Sequence, residues 1–209
     1  MTTATSTTPT TKPRRRVNFR WRVVDIVVAA VLAVACGVAF WAWDTGSVVP
    51  STALHALTPG LEGLVGGVWL LAAVLVALVV RKPGAALFAE IVAATVEAIL
   101  GSTWGANDLL YGLIQGLGAE VIFAIFLYSS WRLGTAMLAG AAAGVCLTVL
   151  DLVLYYPAAG LTFDLVYAVT SVVSGAVIAG LLSWLLVRAL ARTGVLNRFA
   201  SGRTSRALV

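Results

Sequence analysis

Six long apolar runs constrain this chain more than anything else in it: 23 to 43, 61 to 80, 84 to 101, 107 to 128, 134 to 155 and 164 to 187, punctuated by turn residues and charges. A helix needs about 20 apolar residues to cross roughly 30 Å of hydrocarbon, and each run comes close to that length. A soluble core has no room for six of them. With 60% hydrophobic and 11% charged residues and a mean hydropathy of +0.98, against about 25% charged in ordinary soluble domains, the sequence predicts an all-α integral membrane protein of six transmembrane helices. The domain boundaries expected are a solvated basic tail over 1–20, a transmembrane domain over 21–190 and a basic tail over 191–209. In the last of these, Leu190, Val195, Leu196 and Phe199 among arginines suit either a helical extension near anionic headgroups or a frayed solubilising end.

The cations sort by segment. Lys12, Arg14, Arg15, Arg16, Arg20 and Arg22 precede the first run, Arg81 and Lys82 follow the second, Arg132 follows the fourth, and the rest begin at Arg188. The stretches 44–60, 102–106 and 156–163 carry none. With six spans all the cations fall on one face, so the positive-inside rule puts both termini in the cytoplasm. The third run is short and holds Glu90 and Glu97, but omitting it would move Arg81 and Lys82 to the opposite face. The expected location is therefore a cell membrane, crossed several times. The first run is too long for a signal-peptide core, and cleavage there would remove a helix that the topology needs.

Several chemistries are excluded. One histidine and two cysteines leave little from which to build a metal or haem site. Neither lysine follows glycine, so no GxxxxGK[ST] phosphate loop exists, and no HExxH or GxSxG arrangement appears. The chain is expected not to be an enzyme and to hold no cofactor, with any ATP used by partner subunits. Cys36 and Cys146 read as small packing residues.

A charge at mid-bilayer costs about 2.5–3.5 kcal/mol on insertion scales, so intramembrane carboxylates are functional candidates. Glu90 and Glu97 lie two helical turns apart on one face. Asp108, Tyr111 and Gln115 share a stripe, with Glu120 rotated away from it. Asp151 continues a stripe with Thr148 and Tyr155, and Asp164, Tyr167, Ser171 and Ser174 form another. Each has a structural alternative. Asp108 and Asp164 open helices and suit N-caps, Glu90 suits an interfacial partner of Arg81 and Lys82, and Ser171 and Ser174 suit interhelical hydrogen bonds. Glu97, Gln115, Glu120 and Asp151 are harder to explain structurally, although a paired bridge would serve for any of them. Trp21, Trp131 and Trp184 read as an interfacial belt, whereas Trp41, Trp43, Trp104, Tyr111, Tyr155 and Tyr156 gather at the outer ends, where belt and stacking pocket look alike. His55 reads as solvated. Small residues recur every four positions at Ala29, Ala33 and Gly37, and in the pairs Gly63/Gly67, Gly112/Gly116 and Gly140/Gly144. Such spacing serves a tight monomer or a subunit interface equally.

From Arg81 onward the segments Arg81-Lys82-Pro83-Gly84-Ala85-Ala86-Leu87-Phe88-Ala89-Glu90, Glu97, Gly101-Ser102-Thr103-Trp104-Gly105 and Gln115-Gly116-Leu117-Gly118-Ala119-Glu120, with Phe123, Tyr128 and Trp131, carry a family resemblance. Over about residues 20 to 190 the chain resembles the YkoE family, substrate-binding S components of energy-coupling factor (ECF) transporters. The resemblance implies a six-helix protein that captures thiamine or its hydroxymethylpyrimidine precursor from outside. It also implies a transmembrane coupling (T) subunit and ABC-type ATPase subunits as partners in the bilayer, and no nucleic acid. Within it, Gln115 can match the donor and acceptor edge of an aminopyrimidine. Glu97 and Glu120, with Trp104 and Tyr111, suit a cationic thiazolium, and Asp151 and Tyr155 are further ligand-binding candidates. The Ala29, Ala33 and Gly37 strip is expected to face the T subunit. The rival is a carboxylate-lined proton or ion pathway, or a proton-coupled transporter, built on Glu90, Glu97, Glu120 and Asp151.

Overall fold

The protein is described by a computed structural model for residues 19–193 together with Leu196, Phe199 and Ser201. The tail expected over 1–20, except Phe19 and Arg20, and most of the basic stretch after Thr193 lie outside the described residues. Hydrocarbon offers no partner to a free N–H or C=O, so apolar sequence of this length must close its hydrogen bonds within helices. Among the described residues seven form: α1 (Val23–Gly46), α2 (Val48–Leu57), α3 (Leu61–Val80), α4 (Ala85–Ile99), α5 (Asn107–Ile125), α6 (Leu133–Leu154) and α7 (Leu161–Arg192). Five of them, all but α2 and α4, are long and apolar enough to cross a membrane. With 15 residues, α4 spans only about 22 Å at 1.5 Å per residue.

Local chemistry sets several ends. The Asp25 carboxylate accepts from the Arg22 amide at 3.0 Å and meets the Arg22 guanidinium at 2.7 Å, which fixes the start of α1. Arg81 ends α3 in the left-handed region at φ 56°, and Gly84 repeats that turn at φ 80°, so the chain reverses within four residues. The Trp21 indole donates to the Pro83 carbonyl at 3.0 Å, and the Arg81 guanidinium lies 5.8 Å above Trp131. These contacts gather the basic segments at one end of the bundle.

Helix α3 is the axis, with every residue from Ala72 to Val80 buried. Helices α1 and α4 flank it, α5 packs on α4, α6 on α5, and α7 on both α6 and the first half of α3. That first half, Leu61–Leu70, is wound as a 3-10 helix, and Gly175–Leu182 within α7 is wound as a π-helix. Departures of this length from α geometry are uncommon. Both occur where glycines let backbones touch. A Cβ on Gly63 would sit 2.5 Å from the Thr170 hydroxyl, and Gly140 and Gly175 meet backbone to backbone across α6 and α7.

Two expectations require correction here. Ala29, Ala33 and Gly37 do not face outward: both alanines are fully buried, and a Cβ on Gly37 would collide with the Ala93 carbonyl and with Val96 Cβ at 2.8 Å. The small residues are there because α4 packs against this face, leaving Val27, Val31, Val34 and Val38 on the outer side. The C-terminal stretch also does more than solubilise. Leu196 and Phe199 join the apolar core, and the Ser201 hydroxyl donates to the Val79 carbonyl at 3.1 Å.

Candidate functional site

At the end of the bundle opposite the basic turns, α1, α3, α4, α5, α6 and α7 leave a cavity of about 280 Å³ between them. Gly66 on α3 and Gly112 on α5 keep its walls low. A Cβ on Gly112 would lie 2.7 Å from Ala94 Cβ, and one on Gly66 would lie 2.5 Å from a Leu147 methyl. The lining is unusual for a membrane bundle: Glu62, Glu90, Glu97, Asp108 and Asp151, with Gln115 and the rings of Trp69, Trp104, Tyr111, Tyr155, Tyr156 and Tyr167. It contains no Lys, Arg or His among the described residues. A second recess, lined by Thr52, His55 and Ala56, shares Ser51, Glu62 and Tyr156 with the cavity.

One wall is held by Asp151. The Tyr111 hydroxyl donates to its Oδ1 and the Tyr167 hydroxyl to its Oδ2, at 2.5 and 2.6 Å, so helices α5, α6 and α7 converge on one carboxylate. Beside it, Tyr155 meets Trp104 edge to face with centroids 5.1 Å apart and accepts from the Asn107 amide at 3.2 Å. Burial, with Glu62 and Asp151 nearby, raises the Tyr156 phenol above its ordinary range, so it remains a hydrogen-bond donor.

The opposite wall is acidic. The Trp69 indole donates to Glu97 at 2.8 Å and, less closely, to Asp44 at 3.3 Å. The shared indole brings the Asp44 and Glu97 carboxylates together, and Asp108 lines the same cavity. Glu90 lies on the floor, 1% exposed, accepting from the Ala73 amide at 2.6 Å, and Gln115 is 3% exposed beside it in the lining.

Six of the residues singled out from sequence therefore come together: Glu97, Gln115, Trp104, Tyr111, Asp151 and Tyr155. Glu120 does not join them. It lies at the basic end, where its carboxylate accepts from the amides of Gly84 and Ala86 at 2.6 and 2.9 Å and from the Tyr128 hydroxyl at 2.8 Å. A carboxylate at the N-terminus of a helix offsets the free N–H groups there, and Glu120 caps α4 from a neighbouring helix. Other expectations change as well. Asp108 follows the N-cap Ala106 by two positions, and Asp164 follows Gly160 by four, so neither caps its helix. Glu90 faces the cavity rather than an interfacial cation. His55 is not merely solvated, since its Nδ1 lies 2.7 Å from Glu62. Ser174 does bridge helices, donating to the Leu64 carbonyl and accepting from the Gly67 amide, whereas the buried Ser171 hydroxyl finds no partner.

Asp44, Glu62 and Trp69 were not foreseen. Asp44 and Glu62 flank a stretch that reads as an outer loop, and Trp69 reads as one more aromatic in an apolar run. The packing of α3 among its neighbours brings Glu62 and Trp69 to the cavity, where the Trp69 indole ties Asp44 to Glu97. Helix α2 was missed for a related reason: ten residues are too few to register as a span, and its Pro50 resembles a turn signal although it occupies the tolerated first turn of the helix.

Comparison with known proteins adds three findings. Residues 24–146 match the family model described as the permease component of an ABC-type cobalt transport system. Over 189 residues, 88% of this chain and 91% of the relative, the sequence is 35% identical to the putative HMP/thiamine permease protein YkoE of Bacillus subtilis (strain 168). The fold superposes on the crystal structure of an S component of an ECF transporter with a TM-score of 0.82 and 33% identity, covering 90% of this chain and 94% of that one.

Proposed function

Because the chain belongs to the YkoE family of S components of ECF transporters, and so is a substrate-binding transporter subunit of the bacterial cell membrane, we propose that it captures thiamine or its hydroxymethylpyrimidine moiety in the cavity described above. The observation that carries this reading is the composition of the lining, which offers carboxylates and an amide for the pyrimidine edge and aromatic faces for a cationic ring, with no basic residue among the described ones. The carboxylates favour binding over a proton relay, because Glu120, which a relay would need near the basic end, is consumed in capping α4.

In this proposal α4 is a sixth crossing despite its length, since α1, α3 and α5 cover it on three sides and little of it meets lipid. Both termini then lie in the cytoplasm and the cavity opens outward. Transport is driven by ATP on partner ATPase subunits reached through a T subunit, and this chain contributes binding and release.

Calorimetric titration of the purified full chain with thiamine and with hydroxymethylpyrimidine tests the assignment. We expect saturable binding, weakened by Gln115→Ala and by Glu97→Gln. Removing one polar partner from a desolvated site costs about 2–5 kcal/mol, which is tens- to thousands-fold in affinity. Folded variants that both bind as the parent does would refute the placement.

A further inference from the structure

Thr170 and Ser174 lie one turn apart on α7, on the face that also carries Tyr167 into the cavity. Their hydroxyls meet two backbone carbonyls that are likewise one turn apart, at the start of α3. Thr170 Oγ1 lies 2.8 Å from the Gly60 carbonyl, with the Val166 carbonyl of its own helix at 2.9 Å sharing the proton. The Ser174 hydroxyl donates to the Leu64 carbonyl and accepts from the Gly67 amide at 2.9 Å. Leu64 and Gly67 are the pair that a 3-10 turn joins, whereas an α-helix would pair each of them with a different residue. Only glycine at position 67 admits the hydroxyl, since a Cβ there would lie 2.6 Å from Ser174 Oγ.

The winding that these contacts hold decides what the cavity wall is made of. Runs of 3-10 helix beyond three or four residues are uncommon, because side chains eclipse and the hydrogen bonds are poorer, yet Leu61–Leu70 keeps that form for ten residues. Glu62, Val65, Gly66 and Trp69 of this stretch line the cavity. Going back from the α-helical half that begins at Leu71, each 3-10 residue turns about 20° further and rises about 0.5 Å more than an α residue does. At Trp69 the difference is small. Accumulated back to Glu62 it reaches about half a turn and about 4.5 Å. Rewound as α, the stretch would carry Glu62 out of the cavity and strain or break its contact with His55 Nδ1, now 2.7 Å long.

We propose that Ser174, assisted by Thr170, is a positioning residue for the ligand: its hydroxyl holds Leu61–Leu70 in the 3-10 form and so sets where Glu62, Val65 and Gly66 stand around the bound molecule, a role that rests on the reading of the cavity as the ligand site. Neither hydroxyl residue lines the cavity itself. Both act through α3.

The test compares the full chain with Ser174→Ala and with Ser171→Ala, a control on the same helix whose equally buried hydroxyl has no partner. Spin labels on Leu57→Cys and Ile125→Cys, in a background of Cys36→Ala and Cys146→Ala, report the distance between α2 at the cavity end and the last residue of α5 at the basic end. Ser174→Ala should shorten that distance by up to about 4.5 Å and weaken thiamine binding by at least about tenfold in calorimetry. Ser171→Ala should keep both parental values. A hydroxyl that only stabilises the bundle would lower the melting temperature and move neither. A folded Ser174→Ala variant with the parental distance or the parental affinity overturns the proposal, as do equal changes in Ser171→Ala. If Ser174→Ala does not fold, Thr170→Val carries the same comparison against Thr170→Ser, which keeps the hydroxyl. If thiamine does not bind the parent, the function proposed above falls and the distances alone decide: shortening in Ser174→Ala but not in Ser171→Ala supports the hold on α3, and no shortening overturns it.

Discussion

Asp151 takes a phenol on each of its oxygens, and that single residue shows how polarity survives inside an apolar bundle. Its two donors, Tyr111 and Tyr167, come from different helices, so the carboxylate holds both rings in place while they line the cavity. A hydrogen bond to a charged group contributes about 1.5–3 kcal/mol. Tyr167→Phe should therefore lower stability by roughly that amount, measured by denaturant titration in detergent, with a smaller effect on ligand affinity than Gln115→Ala. An unchanged unfolding midpoint would mean that the bond is not formed in the membrane-extracted protein.

At the scale of elements, the α3–α4 turn is held from outside itself. Helix α4 begins after two left-handed residues, Arg81 and Gly84, and its first amides are met by Glu120 from α5 rather than by a capping residue of their own. Tyr128 completes the arrangement. Burial, and then its bond to Glu120, push its phenol up to about 12, so the donor persists through the physiological range. Because the folded value lies above the ordinary value near 10, this contribution is fully present below about pH 10 and fades as pH rises through about 12. Glu120→Ala leaves several helix amides unmet and should destabilise the protein by at least about 1.5–3 kcal/mol. Thiamine affinity should stay within a few-fold of the parent, because the cavity lies at the other end. A variant that keeps its stability but loses binding would return Glu120 to the ligand site.

At the scale of the whole molecule, two outcomes separate assembly from folding and inside from outside. Ala33 is fully buried against α4, so Ala33→Trp must push helices apart. We expect loss of folded protein and of ligand binding together, seen as a collapsed chromatographic peak and no calorimetric signal. Normal binding with selective loss of a co-purifying partner would instead mean that this strip is exposed in the assembled transporter. For topology, single cysteines at Thr45 and Ala159, in a background of Cys36→Ala and Cys146→Ala, should react with an impermeant maleimide on intact cells. Cysteines at Ser129 and Gly134 should not. Labelling at Gly134 from outside would reverse the orientation.

The helices of the bundle were legible from the amino-acid sequence because hydropathy and length act locally: the run read as 61 to 80 is the helix Leu61–Val80, and the other expected runs overlap α1, α4, α5, α6 and α7. The family was legible from the segments that carry the resemblance, and the polar stripe of Asp108, Tyr111 and Gln115 because periodicity on one helix needs no knowledge of its neighbours. What sequence could not decide is which stripes face each other. Glu97 and Glu120 are both carboxylates in apolar helices, yet one borders the cavity with Trp69 and the other caps α4. The Ala29, Ala33 and Gly37 strip suits a partner subunit and α4 equally well. Those outcomes depend on helix rotation and on where the glycines of α3, α6 and α7 allow backbones to meet. Only the tertiary structure fixes them, because the energy that selects them comes from contacts between segments and not from any segment alone.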